Sequence, residues 1–102
     1  MAVIQLHSYN LKDTITKEKV LLLDFYADWC GDCRMMYPVI EEISEEVAGN
    51  AVVAKFDIEE NIELAHEFEV QKIPTILVYK EGKETARFIE FADKEDILDA
   101  LK

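Results

Sequence analysis

Cysteine, proline and glycine are scarce in these 102 residues, with two, two and three of each. So few chain breakers leave no room for a flexible linker or a low-complexity segment, and no stretch repeats another. Two cysteines cannot build a four-thiolate zinc site, and the remaining soft ligands, His7 and His66, are isolated and far apart, so no metal is expected. Positive charge is also short: 11 basic residues face 22 acidic ones, for a net charge of −11. Phosphate binding needs concentrated Lys and Arg, which disfavours nucleic acid as a partner. No apolar run approaches the roughly 20 residues of a membrane-spanning helix, so no membrane partner is expected either. The opening segment Met1-Ala2-Val3-Ile4-Gln5-Leu6-His7 has neither the basic nor the apolar region of a signal peptide. A cytoplasmic setting is therefore expected, where a lone dithiol is more often catalytic than structural.

What the chain does have is apolar residues, half of the total, enough for one core and one domain spanning residues 1–102. Val3 to Leu6 reads as a short strand, and Ser8 can cap a brief helix from Tyr9 to Ile15. Lys19 to Phe25 is so continuously apolar that it predicts a central strand covered on both faces. From Cys33 the apolar residues Met36, Val39, Ile40, Ile43 and Val47 recur at helical spacing, while Glu41, Glu42, Glu45 and Glu46 face water, and Gly49-Asn50 ends the helix. Ala51 to Asp57 reads as another buried strand. Asn61 can cap a helix to Phe68 with Ile62, Leu64 and Ala65 inward. Thr75 to Tyr79 and Glu84 to Ile89 form a hairpin about Glu81-Gly82. A last helix begins at Asp93, with Ile97, Leu98 and Leu101 inward. Alternating strands and helices predict an α/β sandwich, and the hairpin predicts one antiparallel edge in a mixed sheet.

Both cysteines fall in one phrase, Trp29-Cys30-Gly31-Asp32-Cys33, between the central strand and the long helix. Positions i and i+3 of a helix lie about 5–6 Å apart, within the roughly 4.4–6.8 Å that a disulfide spans between Cα atoms. The pair can open and close with little backbone movement, which is the behaviour of a redox switch. Cys30, at the helix start, gains from the dipole and the free N–H groups there, both of which favour thiolate. Cys33, deeper in the helix, would resolve the mixed disulfide that Cys30 forms. Asp24 is a carboxylate in an apolar strand, where burial would raise its pKa and suit it to accept the proton of Cys33. The plainer reading is a strand-end Asp satisfied by backbone N–H groups. Trp29 has Asp28 and Gly31 as surface-loop neighbours, so it reads as an exposed platform beside the reactive sulfur.

The stretch Asp24-Phe25-Tyr26-Ala27-Asp28-Trp29-Cys30-Gly31-Asp32-Cys33 resembles the active-site phrase of the thioredoxin family. The similarity continues through Pro38, Lys55 and Ile73-Pro74-Thr75, in order and over essentially the whole chain. The resemblance implies a five-stranded mixed sheet flanked by four helices and, as activity, protein-disulfide reduction with no bound cofactor beyond a redox-active Cys30–Cys33 disulfide. It implies a flavoprotein thioredoxin reductase as electron donor, disulfide-containing client proteins, and a monomer. It also implies that Lys55 neighbours Asp24 and moderates its pKa, against the plainer reading of an outward edge charge. A cis Ile73-Pro74 bond is implied beside the dithiol, where the backbone of Ile73 would pair with an extended client. Pro38 should bend the long helix and aim its first turn.

Three positions depart from the family pattern. Asp32 stands where proline is usual; at about 7 Å and an effective dielectric of 40–80 its charge opposes a Cys30 thiolate by roughly 0.6–1.2 kcal/mol. A stronger and slower reductant is the expected result. Lys72 replaces a frequent glycine, and Glu90 occupies the position of a glycine in the client groove, so a small apolar surface would carry charge. Trp29, Gly31, Asp32, Ile73, Pro74 and Glu90 are thus the expected substrate-binding set. The rival functions are an oxidase or isomerase, disfavoured by Asp32, a glutathione-dependent enzyme, disfavoured by the acidic surface and Glu90, and a binding module whose dithiol gates partner docking.

Overall fold

A computed structural model describes residues 3–102; Met1 and Ala2 of the opening segment lie outside the described residues. Five strands, β1 (Val3–Leu6), β2 (Val20–Tyr26), β3 (Val52–Asp57), β4 (Thr75–Lys80) and β5 (Lys83–Ile89), form one sheet in the order β1-β3-β2-β4-β5. Four helices flank it: α1 (Leu11–Lys17), α2 (Gly31–Glu46), α3 (Ile62–Glu67) and α4 (Lys94–Leu101). A short 3-10 turn, Ile58–Glu60, follows β3. The expected α/β architecture with a five-stranded mixed sheet is present.

The alternation of side chains along β2 divides the core. Leu21, Leu23 and Phe25 pack with Leu11 and Ile15 of α1 and Leu64 and Ala65 of α3. Leu22 points the other way, with Met36, Ile40 and Ile43 of α2 and Ile97 and Leu101 of α4. Asp24, two residues on from Leu22, must face the same α2 side. As expected, β2 is central and buried on both faces.

The strand directions differ from the sequence reading. β1, β3 and β2 are parallel, but β4 runs antiparallel to β2, and β5 antiparallel to β4. The antiparallel strand is therefore interior, and the edge strand β5 points the same way as β2. The connection from β3 to β4 holds only a short helix and does not carry the chain back along the sheet. Its six-residue α3 spans about 9 Å. β4 starts near the end where β3 finished, with Thr75 opposite Phe25.

Two local expectations also change. Ser8 does not cap α1: its N–H goes to Glu60 Oε2 at 2.7 Å, and the helix begins at Leu11 behind Asn10. Ile62 is 55% exposed, because Asn61 caps α3 through a bond from Leu64 N–H and turns Leu64 and Ala65 inward instead. α2 runs unbroken through Pro38.

Candidate active site

β2 ends at Tyr26, and three residues later the chain enters α2 with Cys30 as its N-cap. Cys30 is extended, with φ −87° and ψ 114°, so its side chain turns back over the first helical turn. Its Sγ accepts the Cys33 N–H at 3.1 Å, and its carbonyl accepts the Arg34 N–H at 3.2 Å. A helix N-terminus leaves such N–H groups free, and a sulfur carrying negative charge is the acceptor they favour. Cys30 and Cys33 are joined as a disulfide with Cα atoms 5.3 Å apart. Both sulfurs' residues are buried, Cys30 at 7% exposure and Cys33 at 4%. Ala27 sits beneath the pair, with Tyr26, Ile58 and Ile73 against it.

The rim is supplied by loops that the sheet brings together. Trp29 is 63% exposed, and its Nε1–H donates to Glu59 Oε2 at 2.5 Å, which ties the indole to the turn after β3. Gly31 is exposed at the first helical position, and Asp32 is half-buried in the same turn. The Ile73-Pro74 bond is cis, and Ile73 O lies 3.7 Å from Cys30 Sγ. Thr75, at the start of β4, donates its hydroxyl to Lys72 O and closes this corner. Glu90 follows β5 with a left-handed φ of 70°, and its N–H donates to Pro74 O at 2.7 Å. That conformation favours glycine, and the bond places residue 90 beside the cis proline.

Below Cys33, Asp24 is 1% exposed, and its Oδ1 has no hydrogen-bond partner. The alternative of a strand-end carboxylate satisfied by backbone N–H groups is not met at that oxygen. Burial pushes the Asp24 carboxyl up to about 7, and the positive charge of Lys55 works in the opposite direction. Lys55 is the register partner of Asp24 on β3. It is half-buried, and its Nζ lies 4.4 Å from the centroid of the Tyr37 ring and 5.3 Å from that of Tyr26. Asp24, Tyr26, Cys33, Tyr37 and Lys55 share a cavity of about 380 Å³. A carboxyl whose pKa is raised by burial and the Cys33 sulfur thus open onto one space.

Tyr37 did not stand out in the sequence. The signal was its spacing: four residues after Cys33 on one helix, the two side chains share a face.

Proteins of known kind are similar to this chain. The thioredoxin family model matches residues 2–102. Thioredoxin of Staphylococcus saprophyticus is 37% identical over 102 residues, which cover all of this chain and 97% of that protein. Thioredoxin of Staphylococcus haemolyticus is 38% identical over 101 residues, 99% of this chain and 96% of that one. Among solved structures, a mutant thioredoxin from Halobacterium salinarum superposes with a TM-score of 0.88 at 33% identity, covering 98% of this chain and 88% of its own.

Proposed function

The chain belongs to the thioredoxin family and is a protein thiol–disulfide oxidoreductase, and from that premise we propose that Cys30 is its nucleophile and Cys33 its resolving thiol. The carrying observation is the Cys30 sulfur at the start of α2, accepting the Cys33 N–H. The Cys30 thiolate attacks one sulfur of a client disulfide and bonds to it, and the other client sulfur leaves as a thiolate. Cys33 then attacks Cys30 Sγ, the mixed disulfide breaks, and the second client sulfur leaves. Two electrons have passed to the client, and the Cys30–Cys33 disulfide has formed.

Asp24 accepts the Cys33 proton in the second step. The support is its place on the shared cavity and a pKa raised to about 7, which lets it hold or release a proton at neutral pH. Lys55 modulates Asp24 through its charge. Trp29, Gly31 and Asp32 flank the client on one side and Ile73, Pro74 and Glu90 on the other, with the Ile73 backbone pairing to an extended client strand. The reading extends to a flavoprotein reductase as electron donor and to a monomer acting in the cytoplasm.

The test is a redox titration of the purified protein in dithiothreitol buffers, followed by Trp29 fluorescence and thiol trapping. A single two-electron transition at a strongly reducing potential is expected. Asp32→Pro should move it upward, since removing the carboxylate favours the reduced, thiolate-bearing form. A strongly oxidising potential, or no reversible transition, overturns the reductase reading. An Asp32→Pro potential that is unchanged or lower overturns the role of Asp32.

A further inference from the structure

The Lys55 ammonium sits against two aromatic faces that thiol–disulfide exchange does not itself call for. Its nitrogen is 4.4 Å from the Tyr37 centroid and 5.3 Å from that of Tyr26. Both fall inside the ~6 Å within which a ring face attracts a cation. Among the described residues no carboxylate forms an ion pair with this ammonium, although Asp24 is its register partner and carries an unpartnered oxygen. Tyr26 is itself anchored, its hydroxyl donating to Gln5 Oε1 at 2.9 Å. Tyr37 reaches the ammonium from α2, the helix that carries the resolving thiol.

We propose that Tyr37 is a positioning residue for the resolving step: with Tyr26 it clamps the Lys55 ammonium at a stand-off from Asp24. The proposal rests on the reading of Asp24 as proton acceptor. A lysine in direct contact would hold the carboxyl ionised and end its use as a reversible acceptor. A lysine released into water would leave burial unopposed and the carboxyl more protonated at neutral pH, so less of it could take the thiol proton. The stand-off keeps the opposing charge constant while Cys33 reacts. The other polar groups around Asp24 are few. Asp28 and Arg34 line the same cavity, with Arg34 Nη1 donating to Asp28 O at 2.7 Å, and the charge of Asp57 falls on the Tyr26 hydroxyl. On β4 the residue opposite Asp24 is Ile76, which is apolar.

The experiment is a carbon-detected NMR titration of the Asp24 carboxyl in the full oxidised chain. It compares the parent with Tyr37→Leu, Tyr37→Phe, Lys55→Met and the Tyr37→Leu/Lys55→Met double variant. Leucine keeps apolar cover over the cavity but offers no ring face, so the ammonium leaves and the Asp24 midpoint should rise by about half a pH unit or more. Phenylalanine keeps the face and should titrate like the parent. Lys55→Met should raise the midpoint too, and adding Tyr37→Leu to it should change nothing further. The proposal fails if Tyr37→Leu leaves the midpoint in place or lowers it, or if its effect persists undiminished without Lys55. Should Tyr37→Leu not fold, the parent decides: Lys55 ε-methylene protons shifted upfield by the rings are expected, and ordinary values overturn the clamp. These readouts do not use turnover. If Asp24→Asn left the pH profile of client reduction unchanged, the proton-acceptor reading would fail while the titration still judged the clamp.

Discussion

A carboxyl group beneath α2 with one oxygen unpartnered destabilises the fold whenever it is ionised, and its raised pKa sets when that happens. Asp24 has an ordinary value of 3.8 and is pushed to about 7 by burial. Below the ordinary value both folded and unfolded states hold the proton. Between the two values only the folded state does, so stability falls as pH rises, and above about 7 the whole difference has been lost. At 1.36 kcal/mol per unit, that loss is roughly 4 kcal/mol. Asp24→Asn should therefore be close to the parent in stability near pH 4 and more stable by several kcal/mol at pH 8. Urea melts across that range check it, and a gap independent of pH would refute it. Asp24 was legible because a charge interrupts an apolar run. Tyr37 was not, because an aromatic on an amphipathic helix is ordinary and its meaning depends on Lys55 arriving from a strand 18 residues further on. Glu90 was legible only through the resemblance; its left-handed φ and its bond to Pro74 O are tertiary facts.

Elements end where the backbone can turn, and in three places this chain turns on a glutamate: Glu69, Glu81 and Glu90 have φ of 59°, 52° and 70°. Glu69 closes α3. Its N–H bonds to His66 O at 2.9 Å, and Val70 N–H reaches back to Ala65 O at 3.1 Å, the paired bonds of a helix stop that usually carries glycine. Glu81 and Gly82, with φ of 52° and 81°, connect β4 and β5 in the doubly left-handed turn that matches strand twist. The dipeptide Glu-Gly signalled a turn through its glycine alone. The left-handed glutamate beside it costs about 1–2 kcal/mol, much of which asparagine avoids. Glu81→Asn leaves intact the Glu81 N–H bond to Lys19 O and should stabilise the fold by about 1 kcal/mol. For a chain of this size that is a rise in Tm of about 4–8 °C, and no rise in a calorimetric scan would refute it. The direction of β4 belongs to this scale too. Periodicity located α3, but that β4 starts at the end where β3 finished is a tertiary fact that periodicity does not carry.

Across the whole molecule the sheet sets where charge meets chemistry. β2 and β3 deliver Asp24 and Lys55 beneath α2, and the loops at the same edge bring Asp28, Trp29, Glu59 and the Ile73-Pro74 corner around Cys30. This grouping was legible in outline, because strand–helix alternation puts such loops at one end of the sheet. With a net charge of −11 over the chain, the acidic residues around the dithiol add to a long-range field rather than stand alone. Such a field draws cations toward a cleft and repels anions, and salt weakens it as the Debye length falls from roughly 30 Å at 0.01 M to about 8 Å at 0.15 M. Two disulfide peptides of equal length, one with Lys and one with Glu beside the cystine, separate this from the simpler view that acidity only keeps the chain soluble. Reduction of the basic peptide should be the faster at low salt and should slow several-fold over that range, while the acidic peptide speeds up. Equal rates with no salt response would leave the acidity a matter of solubility, and client choice would then fall to the short-range contacts of Trp29, Ile73 and Glu90.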